Sequence, residues 1–258
     1  MDKKFLIFFL LAVVLTACRS HYVVTEIQRS RIVVDSRYDA HHDVLAESFL
    51  RSYQLKVDSV TGYKVGHSAK HMSPQRPESE LSNLLADIMV WAARLYQEEV
   101  DFGVYNMGGI RADLPKGEVT YGHVLDIAPF ENKIAFVTLS GEDVMELFAN
   151  HASNGGEGVS RGVELVITKG GKLVSAKLKG APIDPQRDYR IATIDYLLEG
   201  NDKMVAFRKS RNINSPSEIH NDTRFIIMDY FMEMEKQGKI VDADMEGRVV
   251  LVEEGGVR

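Results

Sequence analysis

The chain has 258 residues, of which 45% are hydrophobic and 26% charged, and its formal net charge at pH 7 is −6. This length allows one large domain, or one domain with an arm, once a leader has been removed. The acidic balance, without any Lys/Arg-rich block, argues against nucleic-acid binding, and the one cysteine excludes an intramolecular disulfide.

The N-terminus is typical of a bacterial lipoprotein leader. Lys3 and Lys4 form a short basic region, an apolar run follows at 5–15, and the chain continues Leu-Thr-Ala-Cys. This run is too short to span a bilayer as a helix and suits a signal peptide. We therefore expect residues 1–18 to be the signal peptide and lipobox, with Cys18 lipidated in the periplasm or at the outer membrane. The alternative is an ordinary secretory signal with an incidental cysteine.

Residues 19–60 are predicted to form an N-terminal arm or linker ahead of the main domain. Short runs at 22–24 and 31–34 are typical of strands or of an extended arm. Near-helical spacing of apolar residues then predicts a helix over about 39–56. An apolar face of this helix, formed by Phe49, Leu50 and Tyr53, would contact a partner chain or, alternatively, pack on the domain itself.

The main domain is expected at residues 61–258, where the first predicted elements are clear. A strand at 63–66 leads into a polar loop with two prolines at 67–77. The clearest helix follows at 78–99, because leucine, isoleucine and methionine recur along one wide face. Ser79 is its predicted N-cap.

Later elements follow in an irregular order. They are a buried strand at 102–105, a short helix at 120–127, a strand at 133–139, a helix at 143–152, paired strands at 163–167 and 173–178, a strand at 189–193, a helix from 225 and a strand at 248–252. The Lys-Gly-Gly-Lys segment between the paired strands is a hairpin signal. This order favours an α+β fold, with a mixed β-sheet and packed helices, over a doubly wound parallel sheet.

The segment 106–122 holds the most informative pattern in the chain. It begins Asn-Met-Gly-Gly-Ile-Arg, and Pro-Phe-Glu-Asn follows soon after at 129–132. Adjacent glycines let the backbone approach a ligand closely. The planar guanidinium of Arg111 suits a phosphate or a carboxylate, unless Arg111 instead pairs with Asp113 on the surface. A phenylalanine beside this loop could stack on a flat ring.

These two motifs resemble the C-terminal, substrate-specificity domain of the 5'-nucleotidase / UDP-sugar hydrolase family. The order and spacing of the other elements extend the resemblance over roughly residues 60–255. The resemblance implies the fold of that domain and a site for a nucleotide or nucleoside. The site residues that it implies are Asn106, Gly108, Gly109, Arg111, Phe130, Tyr196, Asp202 and Arg76.

The resemblance also implies a role for each side chain. Arg111 would hold the substrate phosphate, and Asn106 would face the ligand. Phe130 and Tyr196 would stack on the two faces of the base, and Asp202 would accept hydrogen bonds from the ribose hydroxyls. The alternative for either ring is a place in the core, which is the commoner location of an aromatic side chain.

Three departures from the family pattern affect this site. Met107 replaces a glycine of the first motif, and the loop at 200–203 has Asn and Lys where the family has glycine. Arg76 is the candidate for a second ligand arginine; Pro77 follows it, and its register against the family position is defined only to within one residue. The alternative for Arg76 is a solvated loop position.

A two-metal phosphoesterase centre needs about six His, Asp and Asn ligands, which occur in short sequence motifs. Of the expected short motifs, the sequence contains one Asp-Ala-His at 39–41, which we interpret as a chance match. We therefore predict no metal ligands and no catalytic residues in this chain. Divalent metals are expected in a separate catalytic partner.

The sequence is thus interpreted as the nucleotide-binding, substrate-specificity domain of a split 5'-nucleotidase-like hydrolase. Its metallophosphoesterase half would be a separate chain, and this chain alone would be inactive. The alternative is a stand-alone nucleotide- or nucleoside-binding, or structural, surface lipoprotein without turnover.

Overall fold

The computed structural model describes residues 22–38 and 43–254 of the chain. The predicted signal peptide with Cys18, and the Asp-Ala-His segment at 39–41, lie outside the described residues. The chain divides into two compact units, Met1–Leu50 and Arg51–Arg258. Within the described residues, no helix combines the length and the apolar composition that crossing a membrane requires.

The first unit contains little regular structure among its described residues. The runs at 22–24 and 31–34 form no strand, and the segment ends in a turn in which the Tyr38 N–H donates to the Asp35 carbonyl oxygen at 3.1 Å. Helix α1, Val44–Thr61, begins in this unit and ends in the second. Its start is capped by Asp43, whose Oδ1 accepts from two N–H groups of the first turn at 3.0 and 3.1 Å. The helix continues past the predicted end at 56 because no breaker occurs before Gly62.

The second unit holds the remaining elements. Its helices are α2 Glu80–Ala92, α3 Tyr121–Ile127, α4 Gly141–Ser153, α5 Asp195–Leu198 and α6 Thr223–Lys236. Its strands are β1 Lys64–Ser68, β2 Phe102–Tyr105, β3 Gly117–Thr120, β4 Ile134–Ser140, β5 Gly158–Val159, β6 Val163–Thr168, β7 Leu173–Leu178, β8 Ala181–Pro182, β9 Asp188–Ile194, β10 Arg211–Asn214 and β11 Val249–Val252.

Mixed sheets with packed helices confirm the predicted α+β class. The larger sheet has the order β10-β4-β9-β2-β5, a second has the order β11-β6-β7-β8, and β1 pairs with β3. The β2–β9 and β11–β6 pairs are parallel, and the other pairs are antiparallel. The predicted hairpin is the β6–β7 pair.

Helix α2 shows how local sequence sets the start of an element. Ser79 is its N-cap, as predicted, and forms a capping box in which the Ser82 N–H donates to the Ser79 hydroxyl at 3.2 Å and the Ser79 N–H donates to the Ser82 hydroxyl at 3.1 Å. The predicted end at 99 is wrong. The helix tightens into a 3₁₀ turn at Ala93–Tyr96, and Gln97 then takes a left-handed backbone with φ of 57°, which stops it.

The core lies between the sheets and the three helices α2, α4 and α6. Helix α2 packs on β2 and α6, and α4 packs on β4 and β7. The rings of Phe102 on β2 and Phe148 on α4, both fully buried, have centroids 5.4 Å apart. The apolar face of α2 is buried at Leu81, Leu84, Leu85, Ile88 and Met89.

The topology of the larger sheet brings three loops together at one edge. Because β2 runs parallel to β9, the loops that follow these two strands leave from the same edge. Strand β4 is antiparallel to β9, with Ile134 opposite Ile194, so the loop before β4 also meets this edge. The Gly-Gly loop, the loop at 129–132 and the segment from 195 to 203 therefore converge.

Candidate functional site

A cleft of about 430 Å³ lies where these three loops meet. Its lining residues are Asn106, Gly108, Gly109, Arg111, Phe130, Asn132, Tyr196 and Asp202. The structure thus brings together every predicted site residue except Arg76, and it adds Asn132.

The Gly-Gly loop after β2 is a 3₁₀ turn, Met107–Gly109. A Cβ atom on Gly109 would lie 2.6 Å from Oδ1 of Asn106, and one on Gly108 would lie 3.2 Å from Oδ2 of Asp202. A side chain at 109 would therefore collide with Asn106, and one at 108 would crowd Asp202, so the two glycines let these side chains lie close against the turn. Met107, which replaces a family glycine, is 7% exposed and packs in the core, so it does not fill the cleft.

A hydrogen-bonded group of side chains forms the floor of the cleft. Asn106 Nδ2 donates to Asp202 Oδ2 at 2.7 Å, and the Tyr196 hydroxyl donates to Asp202 Oδ1 at 3.1 Å. Asp202 has a left-handed backbone with φ of 51°, and its carbonyl oxygen accepts from Asn154 Nδ2 at 2.5 Å. Asn106 is 2% exposed, and its Oδ1 has no hydrogen-bond partner within the described part of the chain. Burial, and then the charge of Asp202, raise the pKa of Tyr196, so its hydroxyl stays a donor at neutral pH.

The two predicted stacking rings are on the surface of the cleft. Phe130 is 46% exposed and Tyr196 is 37% exposed, so neither ring belongs to the core. Phe130 precedes β4, and Tyr196 lies on α5, which directly follows β9. The antiparallel β4–β9 pairing places both rings at one edge of the sheet.

Arg111 provides positive charge beside these rings. It is exposed, its guanidinium carbon lies 5.9 Å from the centroid of the Phe130 ring, and its Nη1 donates to the Gly108 carbonyl oxygen at 3.4 Å. Asp113, the alternative partner from the sequence, instead pairs with His71 at 3.0 Å. Across residues 22–38 and 43–254, Arg111 has no acidic partner, so its charge is available to an anion.

Arg76 is absent from the lining of the cleft, and its partly exposed side chain contacts the buried Glu157, which supports the Gly-Gly turn. Its Nη2 is 2.8 Å from Oε1 of Glu157, and it also donates to the Gly156 carbonyl oxygen. The Glu157 side chain is fully buried, and its Oε2 accepts from the Met107 N–H at 2.5 Å. Burial raises the pKa of Glu157 above its usual value. The charge of Arg76 therefore faces this carboxylate and not the cleft.

Asn132 was missed as a site residue by sequence reasoning. It is the last residue of the Pro-Phe-Glu-Asn motif, and its carbonyl oxygen accepts from the Thr223 N–H at 2.8 Å, which holds the end of the loop. Its position two residues after Phe130, in the same motif, was the sequence signal that could have identified Asn132 as a lining residue.

Within the described residues, no group of three or more His, Cys, Asp or Glu side chains is arranged to hold a metal ion.

Residues 64–209, more than half of the chain, match the family model described as "5'-nucleotidase, C-terminal domain", and the chain belongs to this family. The fold and the resemblance predicted from the motifs are thereby confirmed.

Individual relatives place this domain within longer proteins. The chain is 28% identical to the silent protein UshA(0) of Salmonella typhimurium over 199 residues, which are 76% of this chain and 35% of that protein. It is 30% identical to the cell wall protein Lmo0130 of Listeria monocytogenes over 188 residues, which are 67% of this chain and 24% of that protein. The chain therefore spans about a third or less of the length of these relatives.

A solved structure shows the same fold. The 5'-nucleotidase precursor from Thermus thermophilus superposes with a TM-score of 0.71 at 24% identity, covering 81% of this chain and 43% of that chain.

Proposed function

We propose that the cleft binds a nucleotide or nucleoside, and that this domain selects the substrate for a 5'-nucleotidase-like hydrolase. The observation behind this proposal is the convergence on one cleft of about 430 Å³ of two exposed aromatic rings, a carboxylate and a guanidinium that has no acidic partner among the described residues. That set matches the three parts of a nucleotide: a flat base, a sugar with hydroxyl groups and an anionic phosphate.

Each part of the ligand has a partner of suitable chemistry. The base stacks between Phe130 and Tyr196, each contact stabilising the complex by about 1–3 kcal/mol. The ribose hydroxyls donate to Asp202, and the phosphate binds Arg111 through charge-assisted hydrogen bonds. Asn106 supports the sugar contact from below, because its Nδ2 donates to Oδ2 of Asp202 at 2.7 Å.

The domain's part in the reaction is to orient the substrate. Binding base and sugar in one geometry turns the attack of water on the phosphate into an effectively intramolecular step. Divalent metals held by a metallophosphoesterase half would activate that water. The residues of this chain hold the nucleoside and leave the phosphate end towards Arg111.

We further propose that the metallophosphoesterase half is a separate chain. A surface that suits it is the apolar stripe of α1 formed by Val57 and Val60, which lie three residues apart on one side of the helix and are 56% and 59% exposed. Lipidation of Cys18 would hold this chain on a membrane of the cell envelope, in line with the cell wall relative. Confinement to one surface raises the effective concentration of two chains that must meet.

A stand-alone nucleotide-binding or structural lipoprotein is the alternative function. It shares the cleft and the ligand with the first proposal and differs in having no catalytic partner. Metal-dependent nucleotidase activity that requires both chains distinguishes the two.

The test of the binding site is calorimetric titration of the mature chain with AMP and with adenosine. Phe130→Ala should weaken both by about 1–3 kcal/mol, because stacking on one face of the base is lost. Tyr63→Ala, which removes a ring 59% exposed outside the cleft, is the matched control and should bind as the wild type does. Absence of binding by the wild type, or unchanged binding by Phe130→Ala, would contradict the proposal.

A further inference from the structure

The carboxylate of Asp202 is held from both sides within the protein. The Tyr196 hydroxyl donates to Oδ1 at 3.1 Å, and Asn106 Nδ2 donates to Oδ2 at 2.7 Å. The backbone is held as well, because the Asp202 carbonyl oxygen accepts from Asn154 Nδ2 at 2.5 Å. Tyr196 thus joins a wall of the cleft to the carboxylate on its floor.

These two hydrogen bonds leave acceptor positions of the Asp202 carboxylate open to a ligand. An ionised carboxylate offers about four acceptor positions, two on each oxygen. Tyr196 and Asn106 each occupy one position on a different oxygen, so one position remains on each. Two neighbouring acceptors suit two neighbouring hydroxyl groups, and therefore a cis-diol better than a single hydroxyl.

Space for such a ligand depends on the facing turn. Gly108 lies against the carboxylate, and a Cβ atom there would lie 3.2 Å from Oδ2 of Asp202. The missing side chain leaves that oxygen open on the cleft side, where Gly108 and Asp202 are both lining residues.

We propose that Tyr196 is a positioning residue that sets sugar specificity: its hydroxyl orients Asp202 so that the site prefers a ribose diol over a deoxyribose. This inference rests on the proposed nucleoside site and adds a role to a ring otherwise needed only for stacking. A phenylalanine at this position would stack equally well, but Asp202 would be held at one oxygen only and would rotate more freely.

The test compares adenosine with 2',3'-dideoxyadenosine by calorimetry on the mature wild-type chain and on Tyr196→Phe. The wild type should bind adenosine more tightly. Tyr196→Phe should lose about 3- to 10-fold in affinity for adenosine, as expected for one net hydrogen bond, and keep its affinity for dideoxyadenosine. The preference for the diol therefore falls while stacking is retained.

A second background shows whether Tyr196 acts through the carboxylate. In Asp202→Ala, the diol preference should already be lost, and adding Tyr196→Phe should change neither affinity. Tyr196→Leu is the stacking control and should weaken both nucleosides by a similar factor.

The outcomes distinguish failure of the proposed nucleoside site from failure of the positioning role of Tyr196. If the wild type binds neither nucleoside, the proposed function fails and this inference fails with it. If the wild type binds both but Tyr196→Phe weakens them equally, or leaves their ratio unchanged, the positioning role is overturned and the binding site stands.

Discussion

At the scale of single residues, charge in the cleft depends on which acidic groups lie nearby. Arg76 faces the buried Glu157 at 2.8 Å, whereas Arg111 has no such partner within the described part of the chain. The two arginines were candidates for the same task in the sequence. In the proposed site, Arg111 is therefore the group expected to bind the anion, whereas Arg76 contacts the loop behind it.

Arg111→Ala should therefore weaken AMP binding by about 1.5–3 kcal/mol, because charge-assisted hydrogen bonds to the phosphate are lost. Adenosine, which has no phosphate, should bind nearly as before. Calorimetric titration of both ligands measures the difference. Arg161→Ala, at an arginine whose side chain is 71% exposed and paired with Glu246, is the control. An equal loss for AMP and adenosine would mean that Arg111 shapes the cleft without binding phosphate.

At the scale of elements, one buried histidine connects α4 to the loop that supports the site. His151 lies in the last turn of α4, and its Nε2 accepts from the Glu157 N–H at 3.0 Å. Burial above all lowers its pKa from 6.5 to about 4. The Glu157 carboxylate in turn accepts from the Met107 N–H. Loss of the His151–Glu157 hydrogen bond would therefore also disturb the Gly-Gly turn.

Folding stability should consequently decrease as the pH falls from 6.5 to about 4. The unfolded chain binds a proton at His151 below about pH 6.5, while the folded chain resists protonation until about pH 4. Neutral, buried His151 therefore contributes up to about 3 kcal/mol to the free energy of unfolding. This contribution is fully present above the unfolded pKa of 6.5 and is lost as the pH falls to about 4.

Urea unfolding of the wild type at about pH 7 and about pH 4.5 measures this effect. His151→Gln should lower stability at neutral pH and remove most of the difference between the two conditions. His123→Gln, at a partly exposed histidine, should keep the difference. The same pH dependence in wild type and His151→Gln would show that other groups are responsible.

At the scale of the whole molecule, the chain corresponds to one domain of relatives that are longer proteins, of which it covers 35% and 24%. We expect the purified mature chain alone not to hydrolyse nucleoside monophosphates above background with Mn²⁺, Zn²⁺ or Co²⁺. Combined with a metallophosphoesterase encoded beside it, the chain should co-purify and show nucleotidase activity absent from either chain. If neither co-purification nor joint activity is found, the stand-alone binding function takes its place.

The stripe on α1 gives this experiment a matched pair of variants. Val57→Lys changes the stripe and should reduce both co-purification and joint activity. Leu55→Lys changes a residue 63% exposed on the opposite side of the helix and should leave both intact. Equal effects of the two variants would mean that the partner does not dock on this stripe.

The sequence by itself determined features that depend on neighbouring residues. The Ser79 cap, strand β2, the β6–β7 hairpin and the two ligand motifs each lie within a few consecutive positions, where backbone geometry and side-chain chemistry act locally. The α+β class also followed, because the order of the elements limits their packing. Even so, the end of α2 was missed, since Gln97 has no glycine-like signal for a left-handed backbone.

Only the tertiary structure decided which distant side chains meet. Asn106 and Asp202 are 96 positions apart, and Arg76 and Glu157 come from loops on different elements, yet both pairs form the site or its support. The hydrogen bond from Tyr196 to Asp202 spans six positions, but it requires the left-handed turn at Asp202. Pairings of this kind depend on how β2, β4 and β9 align at one sheet edge, and no local pattern in the sequence specifies that alignment.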